Sequence, residues 1–155
     1  MKLKILAKLA GLGFIASVIV HSMAWLQIEP PIGRAVFLLH IGIFVVFVPL
    51  VIYANRTMPQ ANRGNMEHLI ALFPTRMKFL SGFLFLYAGV NFAYLFYTAQ
   101  QFPKGKTPEL IVLRGFSGHW MLFYGVACAG HVALARLSEQ GRSTADSRND
   151  TFPPI

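Results

Sequence analysis

Four polar side chains lie inside long apolar stretches of this chain and could bind a cofactor. They are three histidines and one asparagine: His21, His40, Asn91 and His119. Neutral imidazole is a common ligand of haem iron, copper and zinc. Two histidines from different helices could clamp a haem b, and three could hold a copper or zinc ion. Such a layer could also bind the carbonyl oxygens of a quinone or relay protons. Since polar residues inside membrane helices usually have a function, these four are the candidate cofactor-binding residues.

Hydrogen bonding between helices is the competing interpretation of these histidines, and the one that the sequence favours. A histidine inside a membrane can bond a neighbouring helix and bind nothing else. His131 lies twelve residues after His119, which turns it by about 120° around a helix. A haem site that uses both of them is therefore disfavoured. His68 lies in a polar loop and is expected to be solvated.

The elements that must position these residues are four apolar segments. A helix that crosses a bilayer needs about 20 predominantly apolar residues. The segments that meet this length are residues 5–26, 34–54, 77–99 and 112–137. We therefore predict an all-α, four-helix membrane bundle over residues 1–137, followed by a disordered cytoplasmic tail over 138–155. The Pro30-Pro31 pair cannot continue a helix, so the first two helices should be antiparallel neighbours.

Counting along the segments places the four polar residues at one depth. His21 and His40 lie about six residues, His119 about seven and Asn91 about eight from the same side of the bundle. At 1.5 Å per residue, the three histidines are roughly 9–10 Å below the outer surface. The fourth helix, however, has two candidate starts. It could begin at Pro108 and run without a break, or begin near Ser117 after a short interfacial helix, which would place His119 at the surface.

Composition and charge support a membrane location. Hydrophobic residues make up 55% of the chain and charged residues 13%, whereas about a quarter of a soluble domain is charged. The net charge of +8 does not indicate nucleic-acid binding, because the basic residues are spread over loops. Ten of the 14 basic residues fall on one side of the four segments. The other side carries Arg34, Lys104, Lys106 and Arg114. The positive-inside rule then predicts cytoplasmic termini. Nothing in the sequence resembles a transit peptide, so a bacterial inner membrane is the expected location.

A cleaved signal peptide is the alternative interpretation of the first segment. Lys2 and Lys4 precede an apolar stretch that ends in Ser22-Met23-Ala24, which has the spacing of a small-residue cleavage site. Cleavage after Ala24 would leave three spans. The second apolar segment follows so closely that a retained helical hairpin is favoured.

Residues 114–124, Arg-Gly-Phe-Ser-Gly-His-Trp-Met-Leu-Phe-Tyr, resemble a stretch of small bacterial multi-pass membrane proteins. The resemblance covers these eleven residues, implies no activity, and favours a bacterial source. Small residues four apart, such as Gly13 and Ser17 or Gly125 and Ala129, are typical of closely packed membrane helices. The chain has no paired carboxylates, nucleotide-binding glycine pattern or nucleophile elbow.

The function expected from the sequence is that of a non-enzymatic accessory or structural subunit of a larger membrane assembly. Such a subunit would contact the lipid bilayer and either other membrane subunits or copies of itself, and not nucleic acid. The alternative is a small membrane protein of electron transfer that binds haem b or a metal through the outer-leaflet histidines. A transporter is less favoured, because no acidic residue in the spans offers a site for a coupling ion and no internal repeat is seen.

Overall fold

A computed structural model of the chain describes residues 2–57 and 66–149. Within these ranges it contains helices and turns and no β-strand. The elements are α1 (Lys2–Trp25), a 3-10 turn (Gly33–Phe37), α2 (Leu38–Thr57), α3 (Met66–Ala71), α4 (Thr75–Ala99) and α5 (Glu109–Asn149). Four helical stretches are long and apolar enough to cross a membrane: Lys2–Trp25, Gly33–Thr57, Thr75–Ala99 and Glu109–Glu139. The predictions of an all-helical chain and of four apolar helices are therefore confirmed.

The connection between α1 and α2 follows from proline and glycine. The amide N–H of Gly33 donates to the carbonyl of Pro30 at 2.9 Å, which closes a tight turn. Gly33 has φ +53°, a left-handed conformation that glycine adopts without the steric penalty of a Cβ. The 3-10 turn then leads directly into α2, so the second apolar helical stretch begins at Gly33.

The fourth apolar helix is continuous from Glu109. Its first turn is closed by hydrogen bonds from the N–H groups of Ile111 and Val112 to the Pro108 carbonyl, at 3.0 and 3.3 Å. Of the two starts that the sequence leaves open, the structure has the earlier one. His119 therefore lies ten residues after the first residue of the helix, and not at a helix start near Ser117.

The last helix is longer than the sequence predicts. A disordered tail is expected from residue 138, but α5 continues to Asn149. No proline interrupts residues 138–149, and Glu139 forms an ion pair with Lys4 of α1 at 2.7 Å. An established helix adds residues at little cost, so the polar sequence extends it. Residues 150–155 of the predicted tail lie outside the described part of the chain.

Helix α5 is the central element of the bundle. Between residues 110 and 135 none of its side chains is exposed, whereas α1, α2 and α4 each expose large apolar side chains. Helix α1 runs antiparallel to α5, because His21 meets Ser117 at one end and Lys4 meets Glu139 at the other. The other two long helices pack against α5 as well. The bundle thus surrounds one enclosed helix with three helices whose outward faces are apolar.

Glycines on α5 let α4 approach closely. A Cβ added at Gly115 would lie 3.0 Å from the Cβ of Leu95, and one at Gly125 would lie 2.9 Å from a methyl group of Leu84. From Gly115 to Gly125 the residue number increases along α5, whereas the residue contacted on α4 changes from Leu95 back to Leu84. The two helices are therefore antiparallel, and their separation leaves no room for larger side chains at these glycines.

Tyr124 of α5 inserts between α1 and α2. Its ring occupies the space that a side chain would need at Gly13, and its hydroxyl occupies that space at Gly42. The hydroxyl donates a hydrogen bond of 2.8 Å to the Leu39 carbonyl, and Tyr124 is 3% exposed. The small-residue stripe that the sequence shows on α1 therefore makes room at Gly13 for an aromatic ring.

Candidate functional site

The histidines of the predicted layer form two separate groups on opposite sides of α5. His21 lies beside Ser117, whereas His40 lies beside His119. Ser117 and His119 are two residues apart, which corresponds to about 200° around a helix. Asn91 belongs to the His21 side, where it contacts Arg114. The structure thus brings together His40 with His119, and places His21 and Asn91 on the other side of α5.

His21 is the centre of a hydrogen-bond network that joins three helices. Its Nε2 accepts from the indole N–H of Trp25 at 2.9 Å and lies 2.6 Å from the hydroxyl of Tyr87. Its Nδ1 lies 2.8 Å from the hydroxyl of Ser117. That hydroxyl in turn donates to the Arg114 carbonyl at 3.2 Å.

The donors in this network determine the state of the His21 ring. An indole N–H can only donate, so Nε2 carries the lone pair and the ring proton is on Nδ1. Nδ1–H then donates to Ser117, and Tyr87 donates to Nε2. In this arrangement both nitrogens of His21 are used, and neither has a free lone pair for a metal ion. The network therefore links α1, α4 and α5 through one neutral imidazole.

Arg114 lies next to this network, between two aromatic rings. Its guanidinium carbon is 3.3 Å from the ring centroid of Trp25 and 4.3 Å from that of Tyr94. Its Nε donates to Oδ1 of Asn91 at 3.4 Å, and the side-chain amide of Asn91 donates to the Tyr87 carbonyl at 2.8 Å. A cation over an aromatic face is stabilised by the ring quadrupole. Arg114 is thus a fixed part of the bundle.

His40 and His119 form the second group, at the interface of α2 with α5. Their ring centroids are 6.0 Å apart and their planes differ by 21°. The indole N–H of the fully buried Trp120 donates to Nδ1 of His40 at 3.1 Å. Because Nδ1 accepts, the ring proton of His40 is on Nε2.

Phenylalanines surround these two rings. The His119 ring has centroids 4.5 Å from Phe123 and 5.1 Å from Phe92, and it makes no hydrogen bond within the described ranges. Phe116 lies 5.9 Å from His40. Among the residues whose side chains the structure describes, 2–57 and 67–139, no group of three or more His, Cys, Asp or Glu side chains is placed to hold a metal ion. Two imidazoles are therefore what this side of α5 offers, and a cofactor role for the four residues stays a prediction.

His131 lies deeper in the bundle and is fully buried. Its Nε2 is 2.9 Å from the Val46 carbonyl. Pro49, inside α2, has no N–H to donate four residues back to Val45, so one hydrogen bond of the helix is missing next to this contact. Nδ1 of His131 is the one buried side-chain nitrogen or oxygen without a hydrogen bond in the described part of the chain. His68 is exposed, but it lies in the short helix α3 and not in a loop as predicted.

Arg114 and Ser117 are the residues of this region that the sequence analysis does not identify as part of a site. Arg114 is counted there as an outer loop base, but it lies six residues into α5 and contacts two helices. An arginine at that position inside a continuous apolar helix would have indicated a polar site. The sequence left two starts for the fourth helix, and the later start places Arg114 outside the span.

No protein-family model matches the chain, and neither the curated proteins nor the solved structures contain a significant match. Inference about function therefore rests on the geometry of the chain itself, an all-helical protein with four helices long and apolar enough to cross a membrane.

Proposed function

We propose that this protein is a non-enzymatic accessory or structural subunit of a larger membrane assembly. The observation that supports this most is the outward side of α4, which points away from α5. Large side chains recur there at steps of three, four and seven, with exposures between 60 and 77%. We call this stripe the α4 outer face: Phe79, Phe83, Leu86, Val90 and Tyr97. Such spacing is typical of a helix face that packs against another helix.

Two glycines beside the α4 outer face support the proposal further. A Cβ added at Gly82 or at Gly89 would meet nothing within 4 Å. The glycines that the structure describes inside α1 and α2, and those of α5 up to Gly130, in contrast, all have a side chain of another helix within that distance. Glycine costs a helix about 1 kcal/mol relative to alanine, and small residues let membrane helices approach. We infer that a helix of another subunit, or of a second copy, packs at Gly82 and Gly89.

Substitution of both glycines tests this proposal. In Gly82→Leu/Gly89→Leu, the added side chains should block the approach of a partner helix and leave the fold intact, because they point away from the chain. We expect native mass spectrometry from mild detergent to show the wild-type chain in complexes and the double variant mainly as a monomer. In thermal unfolding the double variant should be at least as stable as the wild-type chain, because leucine is favoured over glycine in a helix by about 0.8 kcal/mol per site.

Val45→Leu on α2 is the matched control, because Val45 is 57% exposed on another outward face. Its complexes should have the wild-type mass. A wild-type chain that is monomeric in every mild detergent, or complexes that persist in the double glycine variant, would contradict the assignment of the α4 outer face.

The proposed location is a bacterial inner membrane with both termini in the cytoplasm. The bias of basic residues supports this orientation. In the bundle, the ends of α1 and α5 that carry Lys4 and Glu139 meet on one side, and Trp25 lies at the other. A tryptophan at one helix end and lysines at the other are typical of a membrane helix with its lysines inside.

A haem-b or metal-binding protein of electron transfer is the second candidate, and the juxtaposition of His40 and His119 favours it. The two imidazoles come from different helices, with ring centroids 6.0 Å apart in an aromatic environment. To bind a metal ion through Nε2, the His40 ring would have to give up the proton on Nε2. If that proton moved to Nδ1, Nδ1 could no longer accept the hydrogen bond from Trp120. This cost makes the structural role the better supported one.

An absorbance spectrum of the purified protein, oxidised and reduced, separates the two candidates. For a structural subunit we expect no haem difference signal and less than about one tenth of a metal ion per chain, since a real site binds stoichiometrically. A haem or metal signal that disappears in His119→Phe would establish the second candidate instead.

A further inference from the structure

Arg114 is a partly buried cation without an acidic partner. No carboxylate lies within ion-pair distance of it in the described part of the chain, where the ion pairs join Lys4 with Glu139 and Arg34 with Glu109. The only hydrogen bond of its side chain there is from Nε to Asn91. The Nη groups therefore make no hydrogen bond within the described part of the chain. An arginine inside a membrane helix is costly, and its terminal donors are therefore available to an anion.

Two aromatic rings and one amide hold the Arg114 guanidinium in place. Its carbon lies over the rings of Trp25 and Tyr94, at 3.3 and 4.3 Å from their centroids, and its Nε donates to Asn91. These contacts use Nε and leave the two Nη groups for another acceptor. A planar guanidinium with a free edge forms two parallel hydrogen bonds to the oxygens of a phosphate.

The three helix positions place this edge near the boundary of the bilayer. Trp25 is the last residue of α1, Tyr94 is five residues before the end of α4, and Arg114 is five residues after the start of α5. Trp25 and Tyr94 are 49% and 41% exposed, as expected for aromatic residues at headgroup level. Phosphate is the anion that a bilayer presents at this depth.

We propose that Arg114, with Trp25, Tyr94 and Asn91, binds the phosphate of an anionic lipid headgroup at the outer end of the bundle. The Nη groups donate to two phosphate oxygens, and the two aromatic rings exclude water from the faces of the guanidinium. His21 is neutral and engaged in hydrogen bonds, so Arg114 supplies the charge of this site. Lipid binding at Arg114 requires no partner at the α4 outer face.

Lipid titration followed by native mass spectrometry tests this site. Delipidated protein is titrated with dioleoyl phosphatidylglycerol or with dioleoyl phosphatidylcholine. We expect the wild-type chain to bind the first lipid about tenfold more tightly, which corresponds to about 1.4 kcal/mol. Both lipids carry a phosphate, but the choline ammonium of the second lipid offsets its charge and repels the guanidinium. Arg114→Gln should therefore bind both lipids alike. Arg114→Lys should keep part of the preference, because it retains the charge and loses the planar pair of donors.

Lys106→Gln is the matched control, since it removes one exposed positive charge on the same side of the bundle. If it reduces the preference as much as Arg114→Gln does, the attraction is a general effect of net charge and the proposal is overturned. If Arg114→Gln does not fold, Tyr94→Leu opens one side of the cage while keeping the arginine, and it should weaken the preference several-fold. An unchanged preference in a folded Tyr94→Leu or Arg114→Gln would also overturn the proposal.

Inorganic phosphate distinguishes the two sources of the same chemical group. Thermal unfolding of the delipidated protein is measured with sodium phosphate and with sodium chloride at equal ionic strength. For a headgroup site we expect no stabilisation specific to phosphate. Stabilisation by phosphate that Arg114→Gln abolishes, without any lipid preference, would overturn the lipid assignment.

Discussion

Alanine at position 42 is expected to destabilise the wild-type bundle and to be tolerated once the Tyr124 hydroxyl is removed. The Cβ of Gly42→Ala would overlap this hydroxyl, whereas the next nearest ring atom lies 3.5 Å away. Overpacking in a tight interior typically costs about 1–3 kcal/mol. In a Tyr124→Phe background, the space around the Cβ is ordinary contact distance. The same Gly42→Ala change should therefore cost less than about 0.5 kcal/mol there.

Gly13→Ala is the counterpart that Tyr124→Phe should not rescue. Three ring carbons of Tyr124, and not its hydroxyl, would clash with a Cβ at Gly13. Thermal unfolding in one detergent gives both double-mutant cycles, with a shift of about 2–4 °C per kcal/mol for a domain of this size. Gly82→Ala controls for the intrinsic effect of alanine in a helix, since its Cβ meets open space. Equal rescue at both glycines would mean that Tyr124 does not lie between α1 and α2 in this orientation.

The positions of the helices along the chain could be predicted because they depend on local features. Apolar length gives the four helical stretches, and Pro30 with Pro31 marks the first connection. Depth along each helix follows from a constant rise per residue. The helical extension beyond residue 137 was not predicted, because it depends on the preceding helix and on the contact of Glu139 with Lys4.

The grouping of the histidines could not be predicted for a different physical reason. Depth is a property of one helix, but the direction in which a side chain points depends on how neighbouring helices pack. His21 and His119 are close in depth and still lie on different sides of α5, because Ser117 faces α1 and His119 faces α2. That rotation is set by contacts distant in sequence, such as the insertion of Tyr124 at Gly13 and Gly42.

Phenylalanine in place of each histidine should reveal how differently the two groups support the bundle. His21→Phe removes the acceptor of Trp25 and Tyr87 and the donor to Ser117. Hydrogen bonds between membrane helices are worth about 0.6 kcal/mol on average and up to about 1.7 kcal/mol. We therefore expect His21→Phe to lower the free energy of unfolding by about 2–4 kcal/mol.

His40→Phe and His119→Phe complete the series. His40→Phe leaves the indole N–H of the buried Trp120 without an acceptor, which typically costs about 1–3 kcal/mol. His119→Phe breaks no hydrogen bond and places an aromatic ring among Phe92 and Phe123, so we expect a change below about 1 kcal/mol. Thermal or denaturant unfolding in detergent should rank the losses as His21, then His40, then His119. A loss at His119 as large as that at His21 would contradict a purely packing role for His119, since no bond that it makes within the bundle could account for it.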